Sequence, residues 1–592
     1  MTKPSSASTA EIVITGIGVS PGVMVGAAYV VPDDDNRITE RTIDAADVVR
    51  EIGRFEEAVI ATRRQIGLIY RGVLQSAGRQ NATIFEAHLM VLDDSAFVEE
   101  VIGRISSERR NCEVIVAEAA EKFATALLKA SDTYLRERVA DIRDVAQRII
   151  RNLGGRAGSI LEGLTTRSII IARDLSPSET AGMQRDLVLG FVTEQGSFTS
   201  HTAIMARSLD IPAIVGMSDL SQLVTNGEPL LIDGNKGILI IRPASSRLRE
   251  YGHLVETRQS IHAGLQRLRD LPAQTPDGRE LTVAANVEIL SELPGVARYG
   301  ARGIGLYRTE YLYLSRPELP SEDEQVQVYT TVVRTMAPHR VIIRTFDMGG
   351  DKLPRATVTE ERNPFLGFRA IRFCLANPEI FKAQLRAILR ASSCGSVAIM
   401  YPMVSSLQEI QQANILLEDA KVELRARGEP FDEAIDIGIM VEIPAAALIA
   451  EHLAPHVKFF SLGTNDLVQY SIAVDRGNER VARLYQPTHP GVLRLIDMTV
   501  KAARRHGIWV GVCGEMAGDP LMTALLLGLG IDELSMVPSS IPMVKDMIRK
   551  TGYVQAQALS AAALTCSTAE EVVRLCRKLT GEVAPEILEL IP

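Results

Sequence analysis

Between Pro32 and Pro177 the chain contains no proline, and its apolar residues recur at the three- and four-residue spacing of amphipathic helices. Val48, Ile52, Phe55, Val59, Ile66 and Ile69 form one such stripe. Leu135, Val139, Ile142, Val145 and Ile149 form another, stopped by Gly154-Gly155. Segments 83–93, 96–106 and 113–130 fit further helices, so residues 35–153 predict a helical bundle. The flanks change period. EIVITGIGVSPGVMVGAAYVV at 11–31 is rich in Val, Ile and Gly, and SIIIARDLSPSET, LVLGFVTE, IPAIVG and PLLIDGNKGILIIRP bring strand signals alternating with helix signals. Residues 1–34 and 155–243 therefore predict one α/β domain with the bundle inserted in it. Residues 245–271 read as a long charged helix and PAQTPDG at 272–278 as a turn, which makes 244–278 a linker.

From 279 to 592 the pattern repeats. LTVAANV, GIGLYR, RVIIRTFD, VAIMYPMV, IGIMVEIP, FFSLGTND, WVGVCGE and ELSMVP are short Val/Ile-rich runs, most of them separated by helix-length segments. Eight such units over about 310 residues fit a (β/α)8 TIM barrel, although an open doubly wound sheet satisfies the same count.

In a barrel, reactive groups belong at the C-terminal ends of the strands. Those positions carry Arg308, Arg344 followed by DMGGDK, Glu442, Asn465-Asp466, and Cys513-Gly514-Glu515, with Arg369 and Arg476 in loops on the same expected rim. Arginine forks match phosphate and carboxylate, and Glu442 and Asp466 offer hard oxygens of the kind that hold Mg²⁺ jointly with a phosphate. Salt bridging between these acids and arginines is the competing explanation. Cys513 ends an apolar strand and is either a buried small hydrophobe or a proton donor to a substrate carbon.

His201 stands apart, in GSFTSHTAIMAR at 196–207. Small hydroxyl residues precede it and a helix-forming run follows, which places an imidazole at a helix N-terminus, where anionic groups are favoured. Imidazole is also a nucleophile able to carry a phosphoryl group. A capping or core histidine would look the same in isolation.

Composition narrows the classes. With 64 basic and 73 acidic residues the formal charge is −9, and no long basic run occurs, which argues against nucleic acid or an anionic membrane as the main partner. The six cysteines are scattered without a CxxC pair, as expected in a reducing compartment without structural zinc. The start, MTKPSSASTAEIVITG, has no signal-peptide core, and no run of apolar residues is long enough to insert in a membrane, so a cytoplasmic protein is expected.

Taken together, GSFTSHTAIMARSLDIPAIVG, GIGLYRTEYLYL, VIIRTFDMGGDK, NPFLGFRAIR, GIMVEIPAAA, FSLGTNDLVQYSIAVDRGN and GVCGEMAGD closely resemble the bacterial phosphoenolpyruvate–protein phosphotransferases, enzyme I of the sugar phosphotransferase system. The bundle segments IFEAHLMVLDD and TYLRERVADIRD match as well, and the resemblance runs through essentially the whole chain. It implies a multidomain α/β protein: a phosphohistidine α/β domain with an inserted helical bundle, then a C-terminal TIM barrel that binds phosphoenolpyruvate and dimerises. By the same resemblance His201 is phosphorylated through Nε2. Arg308, Arg344, Arg369, Asn465, Asp466 and Arg476 contact phosphoenolpyruvate, and Glu442 and Asp466 ligate Mg²⁺. Cys513 protonates the enolate to pyruvate, and Thr180 hydrogen-bonds the active histidine. The bundle docks the carrier protein HPr through His88, Met90, Tyr134 and Arg138, His88 being otherwise a helix-face histidine without a partner. The implied product is a cytoplasmic homodimer catalysing the first step of sugar uptake.

The chain departs from the family at Gly196-Ser197, where a glycine pair is common, and at Phe198, where a basic residue is usual. No sensory module precedes Glu11, which disfavours the nitrogen-branch paralogue. Two rivals are an ATP-coupled dikinase or synthase, for which neither room nor a phosphate-cradling loop is found, and a non-catalytic phosphorelay regulator, against which the intact strand-end set argues.

Overall fold

The computed structural model describes residues 11–31, 38–76, 85, 88–93, 95–128, 133–155, 164–175, 187–196, 206, 211–218, 220–249, 251, 264–314, 319–348, 363–476, 478 and 481–590. They fall into two compact units, Met1–Glu256 and Thr257–Ile591.

In the first unit an eight-stranded mixed sheet is built from β1 (Ile12–Thr15), β2 (Ile17–Ser20), β3 (Val23–Val30), β4 (Ser168–Ala172), β5 (Val188–Thr193), β6 (Ala213–Val215), β7 (Pro229–Asp233) and β8 (Ile238–Ile241). Their spatial order is β1-β8-β7-β3-β4-β5-β6-β2. The centre runs parallel from β3 to β6, and its strands are apolar on both faces because each face carries its own core. Ile170, Phe191 and Ala213 pack on one side, and Ile169, Ile171, Val192 and Ile214 on the other. Helices Val48–Ser76, Ser95–Glu108, Cys112–Leu128 and Thr133–Leu153 lie between β3 and β4 in sequence. Phe55 and Ile66 from the first stripe, and Ile142, Val145 and Ile149 from the second, share one core with Phe97, Val101 and Ile115.

The second unit is a closed parallel barrel of β9 (Thr282–Val287), β10 (Ile304–Tyr307), β11 (Val341–Arg344), β12 (Val397–Tyr401), β13 (Asp436–Val441), β14 (Phe459–Leu462), β15 (Trp509–Val512) and β16 (Glu533–Met536). Seven lie within the eight apolar runs, and β13 begins one residue before its run, at Asp436. Closure excludes the open sheet: β16 pairs in parallel with β9, placing Leu534 opposite Val283. Alternate residues point outward into the helix layer, as Ile343, Ile399 and Leu462 do, or inward, as Leu306, Ile342, Met400 and Met440 do. Phe459 stacks on Trp509 inside, with ring centroids 4.5 Å apart, and Gly438 makes room, since a Cβ there would lie 2.4 Å from the Phe459 ring. Phe459 and Trp509 begin their strands, so this stack fills the N-terminal end of the barrel and leaves the C-terminal end for chemistry.

Of the charged segment 245–271, the described residues include helical turns at 245–249 and 264–266. Where the segment reaches the barrel, three cations hold carbonyls at and just beyond its end. Lys545 Nζ donates to Arg269 O at 2.8 Å, Arg302 to Asp270 O at 3.3 Å, and Arg549 to Pro272 O at 2.8 Å.

Candidate active site

The barrel brings eight of the strand-end and loop residues together. Arg308, Arg344, Arg369, Glu442, Asn465, Asp466, Arg476 and Cys513 all line one cleft of about 390 Å³. Arg344 is the last residue of β11, Glu442 follows β13 and Cys513 follows β15. Asn465 and Asp466 occupy the first turn of helix Thr464–Ile472, and Arg369 is the N-cap of helix Ala370–Ala376.

Buried acids hold the arginines in place. Asp347, three residues beyond Arg344, bridges two of them, with Arg344 Nη1 at 2.9 Å from one oxygen and Arg369 Nη2 at 2.9 Å from the other. Arg344 Nη2 also donates to Glu310 at 3.0 Å. Burial opposes the charge of Arg344, but Glu310, Asp347 and Glu442 outweigh it and raise the guanidinium above its ordinary value. Burial likewise pushes the Glu310 carboxyl up, against the pull of Arg344. On the open side, Arg308 lies 3.9 Å from Glu288, and Arg476 lies 3.4 Å from Glu515, which also accepts from Asn465 Nδ2 at 3.1 Å. The salt bridging expected as the competing explanation thus exists, but inside a cleft, where a ligand phosphate can compete for the same forks.

Glu442 is 1% exposed and accepts the Met403 N–H at 2.6 Å. Its carboxyl is driven well above the ordinary range by burial and by the neighbouring carboxylates of Asp347 and Asp466, with Arg344 opposing. Such crowding of hard oxygen donors suits a divalent cation, whose charge would reverse the shift. Three non-glycine residues with left-handed backbones flank the cleft. They are Met403 (φ 56°), which presents its N–H to Glu442, Ala370 (φ 51°) beside Arg369, and Ala473 (φ 55°) three residues before Arg476. Strain of this kind concentrates where side chains must be aimed. Burial pushes the Cys513 thiol up to about 11, so it is protonated at neutral pH in a residue that lines the cleft.

Three domain families match the chain: the PEP-utilising enzyme N-terminal family at 15–138, its mobile domain at 164–237 and its PEP-binding domain at 262–553. The phosphoenolpyruvate-protein phosphotransferase of Haemophilus influenzae is 44% identical over 575 residues, spanning 96% of this chain and 99% of the relative. That of Geobacillus stearothermophilus is 43% identical, with 96% and 98% covered, and that of Bacillus subtilis is 41% identical, with 95% and 99% covered. The chain belongs to the phosphoenolpyruvate-protein phosphotransferase family.

His201 and Thr180, the two phosphotransferase residues expected outside the barrel, lie outside the described residues. Tyr134 and Arg138 fall on helix Thr133–Leu153, but their side chains are outside the described set. The two remaining bundle positions differ. Met90 is 62% exposed, whereas His88 is 1% exposed, with its Nε2 3.1 Å from Asp141 and its Nδ1 3.7 Å from Asp144. The structure therefore gives His88 carboxylate partners rather than an unpartnered helix face. Among the described residues, no helix is long and apolar enough to cross a membrane. Sequence reasoning passes over Asp347 and Glu310. Each lies three residues beyond its strand end (RTFD, YRTE), and its signal is an acid two or three residues after an arginine that already carries a role.

Proposed function

We propose that this phosphotransferase transfers the phosphoryl group of phosphoenolpyruvate to His201, releases pyruvate, and passes the group to a small histidine carrier of the HPr type, the first step of the sugar phosphotransferase system. The observation that carries the reading is the single cleft in which four arginines, two hard carboxylates and a protonated thiol meet. In this reading residues 1–34 and 155–243 form the phosphohistidine domain and 35–153 the carrier-docking bundle. Residues 244–278 are the linker, and 279–592 bind phosphoenolpyruvate and form a cytoplasmic homodimer.

Arg344 and Arg369, set by Asp347, present donor pairs to phosphate and carboxylate, and Arg308, Asn465 and Arg476 complete the grip from the exposed side. Glu442 and Asp466 would hold Mg²⁺, which when bound supplies positive charge to the phosphate and the developing enolate. Neutral His201 Nε2 attacks phosphorus; the N–P bond forms as the bond from phosphorus to the enol oxygen breaks. The enolate's methylene carbon then takes the proton of Cys513 Sγ, giving pyruvate and a thiolate that recovers its proton from solvent. Exposed Met90 is available to the carrier, and the proposed docking set also holds His88, Tyr134 and Arg138.

The test is pyruvate formation from phosphoenolpyruvate in the absence of ATP. Turnover that starts with Mg²⁺, stops with chelator and drops in Glu442→Gln is expected. Turnover that requires ATP, or is indifferent to chelation, contradicts the reading.

A further inference from the structure

Inside the barrel, one column of polar side chains is used by no step above. Its two members, Asn286 and Ser535, sit on adjacent strands and end on the main chain of Cys513. Ser535 Oγ of β16 donates to Asn286 Oδ1 of β9 at 2.7 Å, and Asn286 Nδ2 donates to the main-chain oxygen of Cys513, just beyond β15, at 2.9 Å. Period-two alternation points all three inward: the outward neighbours Ala285, Val287, Leu534 and Met536 belong to the helix-side core.

Cys513 needs such support. The ladder between β15 and β16 covers Gly511 and Val512, so the Cys513 carbonyl extends past its last pair. On the β14 side, Cys513 N–H donates to Leu462 O at 3.1 Å, and its Sγ approaches the same oxygen at 3.6 Å. The asparagine supplies the missing restraint on the other side, reaching over β16 from β9. Room for the column is built in, because a Cβ on Gly305 would lie 2.6 Å from Ser535 Oγ.

We propose that Asn286 is a positioning residue for the acid step. By holding the Cys513 carbonyl, with Ser535 fixing its own amide, it aims the thiol at the enolate's methylene carbon. The inference rests on the role given to Cys513 under Proposed function. Neither residue lines the substrate cleft, so neither contributes directly to binding.

The experiment is a rapid-quench double-mutant cycle on the full-length protein, following pyruvate formation in a single turnover of phosphoenolpyruvate with Mg²⁺. Asn286→Ala should slow pyruvate formation by about tenfold or more while KM changes by less than about threefold. In a Cys513→Ala background the same substitution should slow it no further, because a residue acting only through the thiol has nothing left to aim. Ser535→Ala, which leaves the bond to Cys513 in place, should give a smaller loss that Ser535→Thr recovers. Equal losses from Asn286→Ala in both backgrounds would overturn the proposal, as would a rise in KM that accounts for the slowing. Should Asn286→Ala fail to fold, the Ser535→Ala cycle with Cys513→Ala decides by the same criterion. Wild-type protein that makes no pyruvate would instead refute the functional reading itself, a result the cycle keeps separate.

Discussion

Asp347 carries more of the cleft's geometry than its small size suggests. One carboxylate fixes two guanidinium groups, each at 2.9 Å, and neither arginine has another acid on that edge among the described residues. Losing one charged hydrogen bond in a buried site costs about 2 kcal/mol, roughly thirtyfold in affinity. Asp347→Asn should therefore raise KM for phosphoenolpyruvate by at least about tenfold, with the phosphoprotein still formed at saturation. A lower KM would mean that the arginines bind better unpaired. Glu533 makes a second case. Its carboxyl is half-buried, and desolvation raises it from 4.5 to about 7 against the pull of Arg340. The folded protein thus binds this proton more tightly than the unfolded chain. The stability it contributes is complete below about 4.5 and lost as pH rises through about 7. Glu533→Gln should flatten that decline and raise stability at pH 8 by up to about 3 kcal/mol, read by denaturant unfolding across the pH range. An unchanged slope would show that the carboxyl titrates normally. At this scale the sequence reveals the reactive groups better than their supports. Arg344 and Glu442 are conspicuous because charge rarely follows a buried apolar strand. Asp347 and Asn286 look like ordinary loop and strand residues until their distant partners, Arg369 at 22 positions and Cys513 at 227, are in view.

Several strands of the barrel are legible because they are buried on both sides and so read as unbroken apolar runs, as in VAIMY and IGLY. Helix starts are marked too. Ser321 with Glu324 and Ser406 with Glu409 form reciprocal caps before helices Glu322–Met336 and Leu407–Arg427. The anchor of the linker is not legible, because it joins Lys545 to carbonyls 276 and 245 residues earlier. Burial lowers this lysine to about 8, helped by nearby Arg302, and two carbonyl oxygens take its donors in exchange. Lys545→Ala leaves those oxygens without their cation and should cost about 2 kcal/mol. The loss should appear as a lower Tm together with faster hydrogen exchange at 264–272, where Arg302 and Arg549 alone would remain. Exchange that speeds up uniformly across the barrel would contradict a local anchor.

At the scale of the whole chain, the proposed reading divides the work between two units, and sequence order conceals how. Eight strand signals leave a barrel and an open sheet equally allowed; only the pairing of the last strand with the first, some 250 residues apart, decides between them. In the proposed reading the rim assembled by that closure holds phosphoenolpyruvate, and Cys513, a buried thiol held protonated, serves there as an acid rather than as the attacking group. The nucleophile is assigned to the other unit, at His201, and this division of labour is the centre of the account. Labelling tests it most directly: phosphoenolpyruvate carrying ³²P, Mg²⁺ and no ATP, with acid-labile phosphate on the protein counted against pyruvate released. The account predicts one acid-labile, base-stable phosphoryl group per chain, matched by one pyruvate, mapped to His201 and absent from His201→Ala. Undiminished labelling in His201→Ala, or pyruvate released without a phosphoprotein, would contradict it.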